Sequence, residues 1–103
     1  MGAHNEATDL TVDTNKKETI QSVWNNYIEE LYYQYGHDAY NGTFTTCSRL
    51  KIGSLPDDVD ATDANAVYEY LWDNTEKWEN ALAVIVKEEK GIQTWLIGGW
   101  AAE

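Results

Sequence analysis

The sequence predicts an α+β fold of two layers, in which two helices cover one face of a three-stranded, mainly antiparallel sheet. Residues 15–35 carry apolar side chains at the i, i+3, i+4 spacing of one helix face. Residues 43–52 alternate and are rich in β-branched side chains, which is typical of a strand. Two short apolar runs near the C-terminus are separated by a tight turn, which predicts an antiparallel hairpin.

The N-terminal part of the chain is predicted to be an arm followed by a helix. Residues 1–13 are polar with Leu10 and Val12 as scattered apolar positions, so we expect a mostly mobile arm, with a short edge strand over 9–13 as the alternative. Asn15 followed by Glu18 matches a capping box at the start of helix 15–35, and Gly36 suits the position after its end. Residues 14–103 are then expected to form a single α+β domain.

The rest of the chain predicts one more helix and two more strands. After the strand over 43–52 come a loop with Pro56, a helix over 62–79, and strands over 81–87 and 92–101. The order is α-β-α-β-β, and we expect the last strand in the middle of the sheet, antiparallel to both neighbours. That arrangement resembles part of a ferredoxin-like fold. Gly98 and Gly99 inside the last strand indicate a bulge or the close approach of a helix.

The charge of the chain is strongly negative, yet its composition is that of a folded protein. Eighteen Asp and Glu face seven Lys and Arg, which gives a net charge of −11 on 103 residues. Apolar residues make up 43% and aromatic residues 13%, whereas disordered acidic segments are poor in both. A field of this sign attracts basic protein surfaces and repels nucleic acid and anionic lipid. We therefore expect a basic partner, with no direct binding of nucleic acid or membrane.

Cysteine content and hydropathy predict a cytoplasmic location. The single cysteine, Cys47, cannot form an internal disulfide, which favours a reducing compartment. The N-terminal residues do not resemble a signal peptide, and the apolar runs are far shorter than the ~20 residues that span a bilayer.

The densest charge lies in residues 57–79, which hold eight acids and one base, Lys77, and so carry −7. Carboxylates on successive helix turns lie about 5.4 Å apart and can approximate a row of phosphates, which are spaced by about 3.4 Å along a DNA strand. The structural alternative is a capped, solvated helix. The acids predicted to bind the partner are Asp57, Asp58, Asp60, Asp63, Glu69, Asp73 and Glu76, extended by Glu29 and Glu30 on the first helix.

Aromatic residues outside the apolar stripes are predicted to complete the binding surface. Trp95 and Trp100 are five residues apart and project from opposite faces of an unbroken strand, so a sheet covered on one face exposes one of them. We expect Ile92, Leu96 and Trp100 to face inward and Trp95 to be the exposed anchor. Exposed aromatic side chains often anchor interfaces. The off-stripe tyrosines Tyr33, Tyr40 and Tyr70 are assigned to the same surface.

Other site chemistries fit the sequence poorly. Asp58, Asp60, Thr62 and Glu69 fall at positions 1, 3, 5 and 12 of a calcium-loop template, but Asp63 stands where that template requires glycine. Cys47 and His37 form the only conceivable nucleophile pair, and a lone strand cysteine is usually a small buried side chain. We therefore predict a protein that is not an enzyme and that holds no cofactor and no metal.

Small size, strong acidity and surplus aromatics are similar to those of the small acidic anti-defence proteins of phages and mobile elements, which include anti-CRISPR and antirestriction proteins. The resemblance covers charge and size and no aligned motif. It implies a protein that blocks a nucleic-acid-handling complex by occupying its basic groove. The alternative is a small-ligand module that sequesters a nucleotide signal at a dimer interface, with Arg49, Lys51 and Lys87 as the available cations. A homodimer is left open.

Overall fold

The α+β class is confirmed, and the described residues form a sheet of four strands rather than three. The computed structural model describes residues 3–35, 44, 49–75 and 80–102. Strand β1 (Ala3–Asp13) leads through a 3₁₀ turn (Thr14–Lys16) to helix α1 (Ile20–Tyr35). Strand β2 (Leu50–Ile52), helix α2 (Ala64–Asp73), strand β3 (Ala81–Glu89) and strand β4 (Ile92–Ala102) follow. The sheet is mixed, in the order β1-β4-β3-β2.

Strand β1 corrects the prediction of a mobile arm. Each residue from Ala3 to Asp13 pairs antiparallel with β4, from Ala102 to Ile92. Val12 is fully buried and Leu10 packs against the same core. An edge strand gains its pairing from backbone hydrogen bonds and buries few side chains, so most of β1 shows no hydrophobic pattern that sequence analysis can detect.

The predicted pairing of β4 is partly confirmed. Strand β4 is antiparallel to both of its neighbours, as expected, but those neighbours are β1 and β3. Strand β2 pairs instead with β3, in parallel, with Leu50 opposite Ala81 and Ile52 opposite Ala83. Residues 50–52 are the confirmed part of the strand predicted over 43–52, of which residues 43 and 45–48 lie outside the described residues.

The two helices cover opposite faces of the sheet, which corrects the prediction of two layers. Helix α1 packs on one core cluster, which consists of Val12, Ile20, Trp24, Phe44, Leu50, Ala81, Ala83, Trp95 and Ile97. Helix α2 packs on a second cluster, which consists of Val67, Leu71, Leu82, Val84 and Leu96. Successive residues of β4 alternate between the two clusters, because strand side chains point to opposite faces in turn.

Trp95 is a core residue and not the exposed anchor that we expected. Its side chain is only 8% exposed, on the face under α1, and its Nε1 donates to Oε1 of Gln93 at 3.0 Å. Trp100 lies on the other face, where its Nε1 donates to the backbone carbonyl of Trp72 in α2 at 2.8 Å. The two residues do project oppositely, but a sheet covered on both faces need not expose either.

Helix α2 approaches the sheet closely at Gly98. A Cβ atom at Gly98 would lie 2.8 Å from Cβ of Leu71 and 3.3 Å from the Trp72 indole, closer than such atoms pack. Of the two alternatives for this glycine, the close helix approach is therefore correct. The irregularity in the sheet lies in β3 instead, between Ile85 and Lys87.

Both helices are shorter than predicted, and α1 has a different cap. Helix α1 begins at Ile20 because Thr19 and Ser22 cap it reciprocally: Ser22 N donates to Thr19 Oγ1 at 3.2 Å, and Thr19 N donates to Ser22 Oγ at 3.1 Å. Asn15 instead donates to the Lys90 carbonyl in the hairpin turn, and Glu18 accepts from the backbone N of Asp13. Helix α2 ends at Asp73, and residues 76–79 lie outside the described part of the chain.

We expect Trp95→Ala to destabilise the protein by about 3–5 kcal/mol, because truncation of a buried aromatic side chain leaves a cavity between β4 and α1. The matched control is Tyr33→Ala, since Tyr33 is 92% exposed and its loss should change the free energy of unfolding by less than about 0.5 kcal/mol. Urea denaturation of both variants measures the difference. Equal costs for the two substitutions would contradict the facing assignment of β4.

Candidate protein-binding surface

Four of the predicted acids lie in the loop before α2 and at its N-terminus, and all four are exposed. They are Asp57, Asp58, Asp60 and Asp63. Asp63 caps α2, with its carboxylate accepting from Ala66 N at 3.3 Å. The loop therefore presents four exposed carboxylates at the N-terminal end of the helix.

The carboxylate of Asp60 closes the turn just before that cap. Its Oδ1 accepts from the Thr62 hydroxyl at 2.7 Å and from the Thr62 backbone N at 2.9 Å. The bond from the Thr62 hydroxyl has the larger effect and the bond from its backbone N the smaller. Both stabilise the charged carboxylate and hold the pKa of Asp60 below its ordinary value. Asp60 is thus ionised across the physiological pH range.

Two further acids, Glu69 and Asp73, form a stripe on the outer face of α2. The inner face is fixed by Val67 and Leu71, which are fully buried against the sheet. Glu69 and Asp73 are exposed and four residues apart, so they lie one above the other with a rise of about 6 Å. We call these two residues and the four loop acids the α2 acidic surface.

No cation among the described residues forms an ion pair with the α2 acidic surface. Ion pairs within the described residues join His4 to Glu6 and Lys87 to Glu89, and none reaches the six carboxylates of this surface. The negative field of these groups is therefore directed into solvent, where it can attract a basic surface.

The remaining predicted acids do not extend this surface. Glu29 and Glu30 are exposed, but they belong to α1, which packs on the opposite face of the sheet. The expected continuous row from α2 to Glu29 and Glu30 is therefore wrong. Glu76 and the neighbouring Lys77 lie outside the described residues. Helical periodicity identifies one face of each helix but does not tell which side of the sheet the helix occupies.

The predicted aromatic anchors are dispersed. Tyr33 is 92% exposed on α1, away from the α2 acidic surface. Tyr70 is half-buried and packs beside the second core cluster, Trp95 is buried, and Tyr40 lies outside the described residues. Of the predicted anchors that the structure describes, only the partly covered Tyr70 lies on α2 beside these acids.

A pocket of about 240 Å³ lies between the C-terminal end of α2 and the β2 edge. Its lining consists of Lys51, Gly53, Tyr70, Asn74, Thr75, Asn80 and Leu82. Lys51 forms no ion pair with a carboxylate of the described residues. Lys87 is at a separate site, where its Nζ lies 3.5 Å from Oε2 of Glu89. Arg49 is exposed just before β2 and is not part of the lining. Sequence analysis identified Lys51 as a candidate cation but did not identify the polar residues beside it, because only folding brings them together.

Metal and nucleophile sites have no further support in the described residues. Within that part of the chain, no group of three or more His, Cys, Asp or Glu side chains is arranged to hold a metal ion. Asp60, one residue of the calcium-loop pattern, accepts two hydrogen bonds from Thr62 through its carboxylate Oδ1. His37 and Cys47 lie outside the described residues.

The chain matches no protein-family model, no curated protein sequence and no solved structure. Neither α1 nor α2 has the length and apolar content that a helix needs to cross a membrane.

Removal of the Thr62 hydroxyl should raise the pKa of Asp60. Thr62→Val takes away the stronger of the two stabilising bonds and leaves the backbone bond, whereas Thr62→Ser keeps both and should leave the pKa low. Because the pKa of Asp60 is depressed by folding, its contribution to stability is present above the unfolded-state pKa and is lost as pH falls through the folded-state pKa. Carboxyl carbon NMR titration measures the shift, and identical titration curves for the two variants would refute the assigned cause.

Proposed function

We propose that this chain is a non-catalytic inhibitor or interaction protein that binds the basic surface of a nucleic-acid-handling protein by charge mimicry. The observation that carries the proposal is the α2 acidic surface, six exposed carboxylates without an opposing cation among the described residues. Such a surface competes for the same basic groups that contact phosphate in a nucleic-acid complex.

The geometry of α2 favours steering of a partner over phosphate-by-phosphate imitation. From Asp63 to Asp73 the helix rises about 15 Å, a distance that holds four or five phosphates of one DNA strand but only three carboxylates here. The loop acids raise the charge density at the N-terminal end of the helix. The surface thus reproduces the sign and reach of a phosphate strand at lower density, which acts chiefly on the rate of association.

Rigid placement of the acids supports the same function. Helix α2 is held by Val67, Leu71 and the close contact at Gly98, and the Trp72 Nε1 donates to the Glu6 carbonyl of β1 at 2.9 Å. A surface ordered before binding loses less conformational entropy when the partner docks. By its resemblance in size and charge, we infer an anti-defence role, such as an anti-CRISPR or antirestriction protein acting in the host cytoplasm.

Neutralising two acids on α2 should slow binding, while neutralising two acids on α1 should not. Glu69→Gln/Asp73→Asn and Glu29→Gln/Glu30→Gln each remove two charges, from opposite faces of the sheet. For a partner captured from bacterial lysate, we expect the α2 variant to lower the association rate about tenfold at low salt and to flatten its salt dependence. Surface plasmon resonance of the captured partner with all three proteins measures both effects.

Two results would reject the proposal. Equal slowing by the two double variants would show that only total charge matters and that α2 is no specific surface. Capture of proteins that duplex DNA does not displace would show that the chain does not occupy a nucleic-acid-binding groove. A further test of the charge of this surface changes the four loop acids together to Asn, which retains the side-chain oxygen that caps α2. These acids are Asp57, Asp58, Asp60 and Asp63.

A second candidate function is supported by the pocket at Lys51. Lys51 has no ion-pair partner within the described ranges and lies beside Tyr70, Asn74 and Asn80, an arrangement that suits a small ligand with one anionic group. At about 240 Å³ the pocket is smaller than those of drug-sized ligands. NMR titration with AMP and with inorganic phosphate tests this function. Shifts around Asn74 and Asn80 should disappear in Lys51→Met and persist in Lys87→Met, and no shifts with either probe would reject it.

A further inference from the structure

Strand β1 presents a row of backbone groups along the outer edge of the sheet. Thr14 N donates to the Gly91 carbonyl at 2.8 Å, which continues the register of β1 with β4. Because strand residues bond to alternate sides, the even-numbered residues of β1 bond to β4 and the odd-numbered residues direct their N–H and C=O outward. Glu18 bonds to the outward groups of Asp13. No described residue bonds to the outward backbone groups of four exposed residues, which are Asn5, Ala7, Asp9 and Thr11.

The α2 side of this edge combines a carboxylate with two aromatic rings. Asp9 forms no ion pair within the described residues. Burial raises the pKa of the Tyr68 phenol and the negative charge of Asp9 raises it further, so the carboxylate lies within electrostatic reach of Tyr68. Tyr68 stacks on Trp72 with ring centroids 5.9 Å apart, and Trp72 Nε1 donates to the Glu6 carbonyl of β1. Both rings are half-buried, so they lie beside β1 with part of their surface accessible to a ligand.

We propose that the outer edge of β1 binds an extended basic segment of a partner protein, which adds a strand antiparallel to β1 and places arginines opposite Asp9 and Glu6. In strand addition, main-chain hydrogen bonds supply affinity and side chains at alternate positions supply specificity. The arginine at Asp9 would also pack against Tyr68, since guanidinium groups pair with carboxylates and stack on aromatic rings. This site lies on β1 and not on the α2 acidic surface, so it does not depend on the proposed function.

The charge of the chain selects a basic occupant for this edge. Strand β1 carries Glu6, Asp9 and Asp13 and contains no Lys or Arg. The whole chain carries −11, so a second copy or any other acidic strand is repelled. Charge is one means of protecting an edge strand, and β1 has no proline and no break in register that would also exclude an oppositely charged segment. The charges that oppose an acidic strand therefore attract a basic one.

The positions of Glu6 and Asp9 predict the spacing of the basic residues in the ligand. Asp9 pairs with Leu96, which faces α2, and Glu6 is three residues away and so lies on the α1 side. Glu6 Oε2 bonds to His4 Nε2 at 2.8 Å, and its carboxylate has a second oxygen that can accept from an arginine. Arginines at i and i+3 of an added strand can each lie opposite one of these acids. Arginines at i and i+2 point to the same face and cannot reach both.

Short peptides test the proposal with the unmodified protein. The probe is acetyl-Thr-Thr-Arg-Thr-Thr-Arg-Thr-amide, which can pair with residues 5–11 so that its third residue lies opposite Asp9 and its sixth opposite Glu6. The control peptide exchanges the fifth and sixth residues and so has the same composition and charge with the i, i+2 spacing. In an amide NMR titration, we expect the probe to shift the outward amides of Ala7, Asp9 and Thr11, and the control to bind about threefold more weakly.

N-methylation of the probe separates strand addition from attraction by charge alone. Methylation of the fifth peptide residue removes the N–H that would donate to the Ala7 carbonyl, so binding should be lost. Methylation of the fourth residue, whose N–H points away from β1, should leave binding unchanged. In the protein, Asp9→Asn should weaken binding of the probe about fivefold at low salt. Glu30→Gln is the matched control, because it removes one exposed charge from α1 and should leave the affinity within about 1.5-fold.

Four results overturn the proposal. They are the absence of amide shifts in β1 at about 5 mM probe, equal affinity for the two arginine spacings, equal binding of the two methylated peptides, and equal effects of Asp9→Asn and Glu30→Gln. The amide spectrum of each variant without peptide shows whether it is folded. The test of the α2 acidic surface uses a captured partner and the Glu69→Gln/Asp73→Asn variant, so the two proposals can fail separately.

Discussion

The two-sided burial of β4 is the constraint on which the rest of the structure depends. This strand pairs with β1 on one side and β3 on the other, while Trp95 and Ile97 face α1 and Leu96 and Gly98 face α2. Gly98 fixes the depth at which α2 sits, since any side chain there would collide with Leu71. Trp72 then joins the layers, because its carbonyl accepts from Trp100 and its indole donates to β1.

This arrangement also decides which acids can act together. Because Val67 and Leu71 are buried against the sheet, Glu69 and Asp73 point into solvent on the α2 side. Because Trp24 is buried, the exposed residues of α1 point into solvent on the opposite side of the sheet. A fold with both helices on one face would have joined the two sets of acids. The structure instead gives the chain two separate sets of exposed acids, of which the α2 acidic surface carries more charge.

Sequence patterns predicted the parts of the fold that depend on local burial. The stripe that includes Trp24 identified α1, and the runs around Val84 and Leu96 identified the hairpin. The edge strand given as the alternative for residues 9–13 is confirmed as part of β1. Its extension over residues 3–8 was missed because pairing there relies on backbone groups, which leave no hydrophobic pattern in the sequence. The exposure of Trp95 was predicted wrongly because the face that a helix covers is set by the path of the whole chain. For the same reason, the polar neighbours of Lys51 could not be found from sequence.

The acids before α2 serve structure as well as charge, and the two roles can be separated chemically. Asp60 closes a turn with Thr62 and Asp63 caps the helix, so their presence alone is explained by folding. Each of these contacts needs only a side-chain oxygen, which asparagine also provides. Glu69 and Asp73 cap nothing at the start of α2, and like-charged residues one turn apart cost helix stability. No contact among the described residues gives this pair a role in folding, whereas the proposed attraction of a basic partner would use both charges.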